Sequence, residues 1–362
     1  MFSDAYQGRR VFVTGHTGFK GSWLCEWLLQ LGAEVAGYSL APPTTPALFD
    51  RLGLADRLQH QLGDVRDSAA VADSIHRFAP HIVFHLAAQP IVRASYVQPL
   101  DTFDINVMGT AHVLDALRTL QTPCAGVMVT TDKCYENIER DHPYIETDRL
   151  GGHDPYSASK AAAELIVASY RKSFFPDSAP VAIASVRAGN VIGGGDWALD
   201  RIVPDSVRSL ENGRAISVRN PQSTRPWQHV LEPLSGYLVL GSRLLAPANQ
   251  HLRSAFNFGP AEESTRTVRQ LVEQLLAHMP GTWRDDSDPT AHHEARLLKL
   301  SFAKATELLQ WRPVWSFEEC IRHTAEWYLA PETDALSITR QQIATYTRAA
   351  TTRGLRWANL NG

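Results

Sequence analysis

A glycine-rich turn near the N-terminus constrains the fold of this chain most strongly. The run from Arg10 to Thr14 is short, apolar and rich in β-branched side chains, so it predicts a buried strand. Gly15, Gly18 and Gly21 follow it. We expect the first to permit a tight turn, the second to let a pyrophosphate approach the backbone, and the third to allow close helix packing. The helix predicted over 22–31 would point its N-terminus at the anion, so the motif predicts a dinucleotide site.

Strand and helix patterns alternate from residue 10 to about residue 187. Further strands are predicted at Glu34–Ser39, His81–His85, Cys124–Thr130 and Val181–Arg187. Helical periodicity covers Ser68–Phe78 and Asp101–Leu120. This order predicts an α/β, Rossmann-type fold, a doubly wound parallel sheet with helices on both faces. Trp23 and Trp27 lie at helical spacing and are expected to pack in the core.

The remainder of the chain is less regular and richer in Gly and Pro. Helices are predicted near 203–212, 230–245, 265–278 and 316–328. We expect residues 1–187 to form the dinucleotide-binding domain, with about 228–258 returning to it, and residues 188–330 to form a smaller C-terminal α/β substrate lobe. For the tail, residues 331–362, the sequence predicts no structure.

A second motif, Tyr156 and Lys160 four residues apart, suggests hydride chemistry. Asp154 and Pro155 are expected to be the N-cap and first residue of a helix, which places Tyr156 and Lys160 one turn apart on one face. A phenol titrates near ~10, so a tyrosine base at neutral pH needs about 4 kcal/mol of stabilisation of its anion. A fixed ammonium and an oxidised nicotinamide together supply it. Taken alone, such a pair is more often solvated helix surface.

Composition excludes several other classes of protein. The 362 residues carry 35 Lys and Arg against 38 acidic residues, so there is no electrostatic case for binding nucleic acid or an anionic membrane. No apolar run approaches the ~18 residues of a membrane span. The four cysteines form no C-x-x-C pair, which favours a reducing cytoplasm. No metal is expected, because Leu297 replaces the second histidine of an H-E-x-x-H motif beginning at His293.

Several further blocks carry a family resemblance, which spans about residues 8–330. Asp64-Val65, the run from His85 to Ala88, Asn106 and Arg187-x-x-Asn190 join the glycine and Tyr/Lys motifs, and the set resembles the extended short-chain dehydrogenases acting on nucleotide sugars. More specific blocks lie at 14–23, 131–135, 187–197 and 225–230, and they are similar to the CDP-D-glucose 4,6-dehydratases.

The resemblance implies NAD as cofactor, a CDP-hexose as substrate, and a homodimer or tetramer. It implies that the cofactor is bound by Gly15, Thr17, Gly18, Phe19, Lys20, Gly21, Asp64, Val65, Leu86, Ala87, Ala88, Gln89, Asn106, Tyr156 and Lys160. It implies that the substrate is bound by Asn190, Arg201, Arg219 and Arg225. Asn190 and Arg225 suit a pyrophosphate; the alternatives are that Asn190 stabilises a turn and that Arg225 pairs with a surface carboxylate.

One position departs from the usual pattern of selective NAD enzymes. These enzymes commonly carry an acid at the end of the second strand, which binds the ribose hydroxyl. This chain has Tyr38-Ser39-Leu40-Ala41 there, with no Arg to favour a 2′-phosphate either. The choice of NAD over NADP therefore rests on the resemblance.

The resemblance further implies a catalytic set of Thr131, Asp132, Lys133, Tyr156 and Lys160. Oxidation of the sugar at carbon 4 acidifies the proton at carbon 5, water leaves across carbons 5 and 6, and the hydride returns to carbon 6. Thr131 would bind the reacting oxygen, Tyr156 would be the base at carbon 4, and Lys160 would hold the nicotinamide ribose. We favour Asp132 as the acid for the departing hydroxyl and Lys133 as base or proton partner, titrating as one coupled pair. A plain salt bridge is the alternative.

Two other functions remain open at this point. A nucleotide-sugar epimerase shares Tyr156 and Lys160 but needs no acid for water loss, so Asp132 and Lys133 favour dehydration. A non-catalytic cofactor-binding protein is disfavoured by the intact set of Thr131, Tyr156 and Lys160. A homodimer is expected to pair two apolar helix faces, formed by Phe103, Val107, Leu114 and Leu117 and by Ala161, Leu165, Ile166 and Tyr170.

Overall fold

A parallel β-sheet organises the chain in the computed structural model, which describes residues 1–139, 141–287 and 298–359. The strands, in chain order, are β1 (Arg10–Thr14), β2 (Glu34–Ser39), β3 (Gln59–Leu62), β4 (Ile82–His85), β5 (Cys124–Val129), β6 (Val181–Ala188), β7 (Val191–Ile192), β8 (Ile216–Val218), β9 (Thr224–Pro226), β10 (Gln228–His229), β11 (Ala255–Phe258), β12 (Thr265–Thr267) and β13 (Trp283–Asp285).

Helices separate most of these strands. They are α1 (Phe19–Gln30), α2 (Leu48–Arg51), α3 (Ser68–Phe78), α4 (Val92–Val97), α5 (Pro99–Phe103), α6 (Gly109–Arg118), α7 (Pro155–Phe174), α8 (Ile202–Glu211), α9 (Leu231–Leu244), α10 (Val268–Leu276), α11 (Ala303–Leu309), α12 (Phe317–Leu329) and α13 (Ala335–Thr352). A π-helical turn, Asp104–Met108, joins α5 to α6.

The main sheet has seven strands in the order β11-β6-β5-β4-β1-β2-β3, and the neighbouring strands run parallel. The strand order changes direction at β1: β2 and β3 lie on one side of it, and β4, β5, β6 and β11 lie on the other. Thr14 of β1 pairs with His85 of β4 at this point. At such a switch point the loops after two adjacent strands diverge and leave a crevice for a ligand. The Rossmann-type α/β fold is therefore confirmed, with the crevice beside the glycine turn.

Both faces of the sheet are covered by helices. Val11 and Val13 of β1 join the core cluster that holds α1 and α9, whereas Phe12 joins the cluster that holds α3, α6 and α7. Trp23 and Trp27 are fully buried, as expected of packing residues. The smaller part of the molecule contains three two-stranded pairings, β10 with β7, β12 with β9 and β13 with β8.

Several predicted boundaries need correction. Helix α1 begins at Phe19 rather than at residue 22, because Gly18 is its N-cap and the backbone turns into the helix before Gly21. The stretch predicted as one helix over Asp101–Leu120 contains the π-helical turn. The helix predicted from 265 begins at Val268, since Thr265–Thr267 pairs with β9 and Thr267 caps α10.

The C-terminal tail, for which no structure was predicted, forms α13 and packs on α1 and α12. Arg340 of this helix donates to the fully buried Glu26 of α1 over 2.7 Å. The rings of Trp27 and Tyr346 also meet edge to face, with centroids 5.9 Å apart. The tail therefore fastens the end of the chain to the helix that follows the glycine turn.

The helix faces expected to form a dimer are only partly exposed. Leu114, Leu117 and Ala161 are at most 5% exposed within the single chain, so they belong to its own core. Leu165 and Phe103 remain 60% and 37% exposed. Further apolar side chains on the surface of α4, α5 and the π-helical turn are Tyr96, Val97, Leu100 and Met108.

The described residues contain neither a membrane-spanning helix nor a metal-binding group of side chains. None of their helices combines the length and the hydropathy needed to cross a membrane. No group of three or more His, Cys, Asp or Glu side chains among them is arranged to hold a metal ion. The sequence His292-His293-Glu294 lies outside the described residues.

Candidate active site

The glycine turn fits a bound pyrophosphate. Gly15 has a φ of 74°, and a β-carbon there would lie 2.7 Å from the backbone nitrogen of Ala87. A β-carbon at Gly21 would lie 2.1 Å from the carbonyl oxygen of Gly15. The N-cap of α1, Gly18, supplies no side-chain cap, so the first backbone N–H groups of α1 can face an anion. These observations suit the dinucleotide expected there.

The loop after β4 is held against the end of β1. The hydroxyl oxygen of Thr14 accepts from the backbone nitrogens of Leu86 and Ala87, each at 3.2 Å, and lies 2.7 Å from Nδ1 of His85. Burial lowers the pKa of His85 to about 3, so its ring is neutral at physiological pH. The loop that was expected to line the cofactor is therefore fixed by a neutral hydrogen-bond network.

The residues expected at the adenosine end lie together beside β2. The Tyr38 hydroxyl donates to the backbone oxygen of Asp64 at 3.0 Å, and the Asp64 carboxylate is paired with Arg66 at 2.7 Å. This pairing lowers the pKa of Asp64. The Thr17 hydroxyl lies 2.9 Å from that of Ser39. The position where many NAD enzymes have an acid is thus a hydroxyl pair.

Asn106 ties the other end of the cofactor loop to α7. Its side-chain oxygen accepts from the backbone nitrogen of Gln89 at 2.9 Å, and its amide nitrogen donates to the Gln89 carbonyl at 3.1 Å and to Ser159 at 2.9 Å. Asn106 is fully buried in the π-helical turn. It therefore positions Gln89, the last residue of the loop expected to line the cofactor.

The expected catalytic residues meet where β5 ends and α7 begins. Asp154 accepts from the backbone of Ser157 and caps α7, as expected. The Thr131 hydroxyl donates to Oδ1 of Asp132 at 2.9 Å, and Thr131 also hydrogen-bonds Tyr156. The Lys160 ammonium donates to the carbonyl of Val129 at 3.5 Å. Two adjacent elements thus bring the Thr, Asp, Tyr and Lys side chains to one end of the sheet.

Burial opposes the charged forms of both members of the Tyr/Lys pair. It raises the pKa of Tyr156 to about 12 and lowers that of Lys160 to about 8. Lys20, in the glycine turn, also has its pKa lowered to about 8, by burial and then by the charge of Arg201, while Asp132 acts in the opposite direction. These side chains share one cleft, and a bound anion would favour its cations.

An ion pair that the sequence analysis missed lies behind this cleft. Glu164 and Arg187 are 3% exposed each and pair over 2.8 Å. Glu164 also accepts from the hydroxyls of Thr130 and Ser185. The sequence signal for Glu164 is its position four residues after Lys160, one turn along the same face of the helix. The pair anchors the residue that precedes Thr131.

Three of the expected substrate residues, Asn190, Arg201 and Arg219, lie between secondary-structure elements, whereas Arg225 lies within β9. Arg201 pairs with Asp196 at 2.9 Å and Arg219 with Asp200 at 3.0 Å, and Arg225 donates to the carbonyl of Thr224 at 2.9 Å. Asn190 has a φ of 35°, in the left-handed region, directly after β6. Arg201 belongs to the catalytic cleft, since Tyr156 and Lys20 respond to its charge.

Comparisons with known proteins agree with this geometry. The family model described as GDP-mannose 4,6 dehydratase matches residues 12–324. The curated CDP-glucose 4,6-dehydratase of Salmonella typhimurium is 46% identical over 357 residues, which cover 96% of this chain and 98% of that protein.

Solved structures show the same fold. The Thermus thermophilus UDP-glucose 4-epimerase in complex with NAD has a TM-score of 0.76 and 25% identity, over 88% of this chain and 98% of that one. The dTDP-glucose 4,6-dehydratase of Streptomyces venezuelae, with NAD bound, has a TM-score of 0.75 and 23% identity, over 88% of this chain and 96% of that one. Since the family model matches most of the chain and a relative is 46% identical across nearly all of it, the protein belongs to the GDP-mannose 4,6-dehydratase family.

Proposed function

We propose that the protein converts CDP-D-glucose into CDP-4-dehydro-6-deoxy-D-glucose, using NAD as a cofactor that is regenerated in each turnover. The observation that carries this proposal is the contact between Thr131 and Asp132 at the end of β5, beside Tyr156. Redox chemistry at carbon 4 needs only the tyrosine and lysine. A buried carboxyl joined to the same threonine adds the acid that water loss requires.

The first step depends on Tyr156 and its neighbours. Tyr156 takes the proton of the carbon 4 hydroxyl, and Thr131 holds the same oxygen by a hydrogen bond. The glycine turn, the loop from Leu86 to Gln89 and Lys160 would hold NAD, which would supply the acceptor for the hydride of carbon 4 and its donor to carbon 6. In the chain alone, burial raises the pKa of Tyr156 to about 12, so the ammonium of Lys160 must stabilise the phenolate.

The elimination step belongs to the residues after Thr131. Asp132 donates a proton to the departing hydroxyl at carbon 6, and Lys133 removes the proton from carbon 5. Asp132 is 2% exposed and Lys133 is half-buried. Proton transfer between the two leaves their net charge unchanged, so we treat them as one coupled pair.

The substrate's diphosphate would be bound by Asn190, Arg201, Arg219 and Arg225. Each guanidinium has several N–H donors, so an arginine paired with one carboxylate can still donate to a phosphate oxygen. Support comes from Arg201, whose charge acts on Tyr156, and from the positions of Asn190, Arg219 and Arg225 in or beside the short strands β7, β8 and β9.

A single assay tests the proposal. The purified protein and NAD are incubated with CDP-, dTDP-, UDP- or GDP-glucose, each in its own reaction, and the products are analysed by mass spectrometry. We expect loss of one water from CDP-glucose and the alkali absorbance of a keto sugar. Conversion to an isomer of unchanged mass would instead identify an epimerase. Loss of water from another nucleotide sugar would correct the base alone.

We also propose a cytoplasmic homodimer, with a tetramer as the alternative assembly, that acts in deoxysugar biosynthesis such as that of O-antigens. The exposed apolar side chains Val97, Leu100, Phe103 and Leu165 support pairing through α4, α5 and α7. Sedimentation at micromolar concentration tests the assembly. Leu165→Glu should shift a dimer towards monomer, and a purely monomeric parent protein would contradict the proposal.

A further inference from the structure

Three buried polar side-chain atoms, one of them on Asp132 itself, have no hydrogen-bond partner among the described residues. They are Oδ2 of Asp132, Oε1 of Gln228 and the hydroxyl of Tyr237. The three side chains are at most 2% exposed. Buried polar atoms in proteins are nearly always hydrogen-bonded, to protein or to ordered water. Three such atoms in one region therefore require an explanation.

Gly189 contacts both Asp132 and Gln228. Oδ2 of Asp132 lies against Gly189, where an added β-carbon would be 1.8 Å from it. The Gln228 amide nitrogen donates to the carbonyl of Gly189 at 3.0 Å and to that of Phe258 at 3.1 Å. Both partners are acceptors, so the amide cannot be flipped, and Oε1 is the atom left over.

Tyr237 is linked to this group through Phe258, whose carbonyl also accepts from Gln228. Its ring meets that of Phe258 edge to face, with centroids 5.7 Å apart. The helix that carries it, α9, packs on β5, β6 and β11. Burial raises the pKa of Tyr237, and the negative charges of Asp132 and Tyr156 raise it further. Tyr237 and Gln228 thus both lie against Phe258, and Gln228 and Asp132 both lie against Gly189.

We propose that Asp132, Gln228 and Tyr237 form the binding site of one internal water molecule. Water has two donors and two acceptor lone pairs. Its two O–H groups match Oδ2 of Asp132 and Oε1 of Gln228, and one lone pair matches the Tyr237 hydroxyl. A single molecule therefore satisfies all three atoms, in keeping with the two to four hydrogen bonds typical of a buried water.

This water gives Gln228 and Tyr237 a role as positioning residues, which rests on the proposed function. By holding Oδ2, the water fixes the rotation of the Asp132 carboxyl group. Oδ1 then stays on the side of Thr131, which donates to it at 2.9 Å. The water transfers no proton in the reaction. Oδ1, the oxygen that the water does not hold, is then the one that carries the acid proton toward the departing hydroxyl.

The direct test is crystallographic and does not depend on activity. Structures of the parent protein and of Tyr237→Phe are determined at a resolution that shows ordered waters. We expect a water about 2.7–3.2 Å from the three polar atoms in the parent, displaced or absent in the variant. Direct contact between Tyr237 and Asp132, or a parent structure with no water there, overturns the proposal.

Kinetics test the positioning role. In single turnover, Tyr237→Phe should oxidise the substrate at the parent rate but eliminate water about 10-fold more slowly, a smaller loss than that of the acid itself. Reduced nicotinamide should therefore accumulate. Elimination at the parent rate overturns the role. If the parent protein performs no dehydration, the proposed function fails while the crystallographic result still decides the water site.

Tyr6→Phe is the matched control. Tyr6 is 1% exposed, and its hydroxyl donates at 2.7 Å to the carbonyl of Leu238, the residue after Tyr237. This variant loses a buried hydroxyl near the same helix without touching Asp132. It should lower the thermal midpoint without accumulating reduced nicotinamide. If Tyr6→Phe also accumulates reduced nicotinamide, the effect of Tyr237→Phe is structural and the positioning role is overturned.

Discussion

The carboxylate of Asp132 lies against the α-carbon of Gly189, so closely that a β-carbon at Gly189 would stand 1.8 Å from Oδ2. Asp132 follows β5 and Gly189 follows β6, and these strands are neighbours in the sheet. A residue with no side chain at the end of one strand thus makes room for the proposed acid at the end of the next. Position 189 requires glycine because of this contact, and not because of its backbone conformation.

Gly189→Ala should therefore displace the Asp132 carboxyl group. We expect the elimination step to slow by about 10² or more, the low end for loss of an acid catalyst. Overpacking should lower stability by about 1–3 kcal/mol. Single-turnover kinetics and urea unfolding measure the two effects. Gly259→Ala, where the new β-carbon would lie 3.2 Å from that of Leu300, is the control and should keep normal kinetics.

Tyr156→Phe should abolish the first hydride transfer while leaving NAD affinity nearly unchanged, because it removes only the phenolic oxygen. The expected loss is about 10²–10⁴-fold. Lys160→Met should weaken both catalysis and cofactor binding. Rapid mixing with substrate measures the first step, and fluorescence titration measures NAD affinity. Activity within tenfold of the parent in Tyr156→Phe would mean that another group is the base.

The buried pair of Glu164 and Arg187 predicts a large effect on stability. Glu164→Gln leaves the guanidinium of Arg187 buried and unpaired, which should cost about 3–5 kcal/mol. Glu164 also raises the pKa of Lys160, against the larger effect of burial, so its loss should lower that pKa below about 8. The alkaline fall in activity should then begin at lower pH.

Urea unfolding and a pH–rate profile measure these changes. The control is Asp73→Asn, which breaks the exposed pair of Asp73 and Arg77 one helical turn apart. An exposed pair of this kind contributes about 0.3–0.5 kcal/mol. If the two variants lost similar amounts of stability, the buried pair would have no special role.

Glu232 predicts a dependence of stability on pH. It is 1% exposed and accepts from the backbone of Val314 and Trp315 and from the Tyr346 hydroxyl. Burial nevertheless raises its pKa from the ordinary 4.5 to about 7. Between these values the folded chain keeps a proton that the unfolded chain has released. The stability this group contributes is therefore complete below about 4.5 and is lost as the pH rises through 7.

The expected loss is roughly 3 kcal/mol between pH 4 and pH 8. It should disappear in Glu232→Gln, and that variant should be less stable at every pH because an amide oxygen cannot accept from all three donors. Urea unfolding at several pH values measures the difference between the two proteins. An equal slope of stability against pH in both would assign the effect to other groups.

Much of the fold could be predicted because its signals are local. β1, β2 and α3 have the predicted bounds, and the last begins after the N-cap Asp67. β3 was missed because Gln59-His60-Gln61-Leu62 is a polar strand at the edge of the sheet, with no alternation to detect. α13 was missed because its buried residues, such as Ile343 and Tyr346, are sparse among Thr, Gln and Arg.

The site could be predicted only in part, for a different reason. Tyr156 and Lys160 are related by helical spacing, and the glycines by their place after a strand, so both motifs are visible in the sequence. The contacts of Gly189 with Asp132 and of Gln228 with Gly189 join residues 57 and 39 positions apart. Such contacts depend on strand order and on the packing of α9, which no local pattern encodes.

Asp132→Asn should separate the steps of the reaction, because an amide keeps the shape of the carboxyl group but cannot donate the same proton to the leaving hydroxyl. Oxidation at carbon 4 should proceed, whereas elimination should slow by about 10²–10⁴-fold. Single-turnover mixing should show the absorbance of reduced nicotinamide rising and persisting. Lys133→Met should give the same trapped state if Lys133 is the base.

Solvent exchange at carbon 5 distinguishes the two variants. In deuterium oxide, Asp132→Asn should still exchange that proton, because Lys133 remains, whereas Lys133→Met should lose the exchange. Normal turnover of Asp132→Asn would exclude Asp132 as the acid. A variant that is inactive and never reduces the cofactor would assign Asp132 to positioning the sugar for oxidation, a role consistent with its hydrogen bond from Thr131.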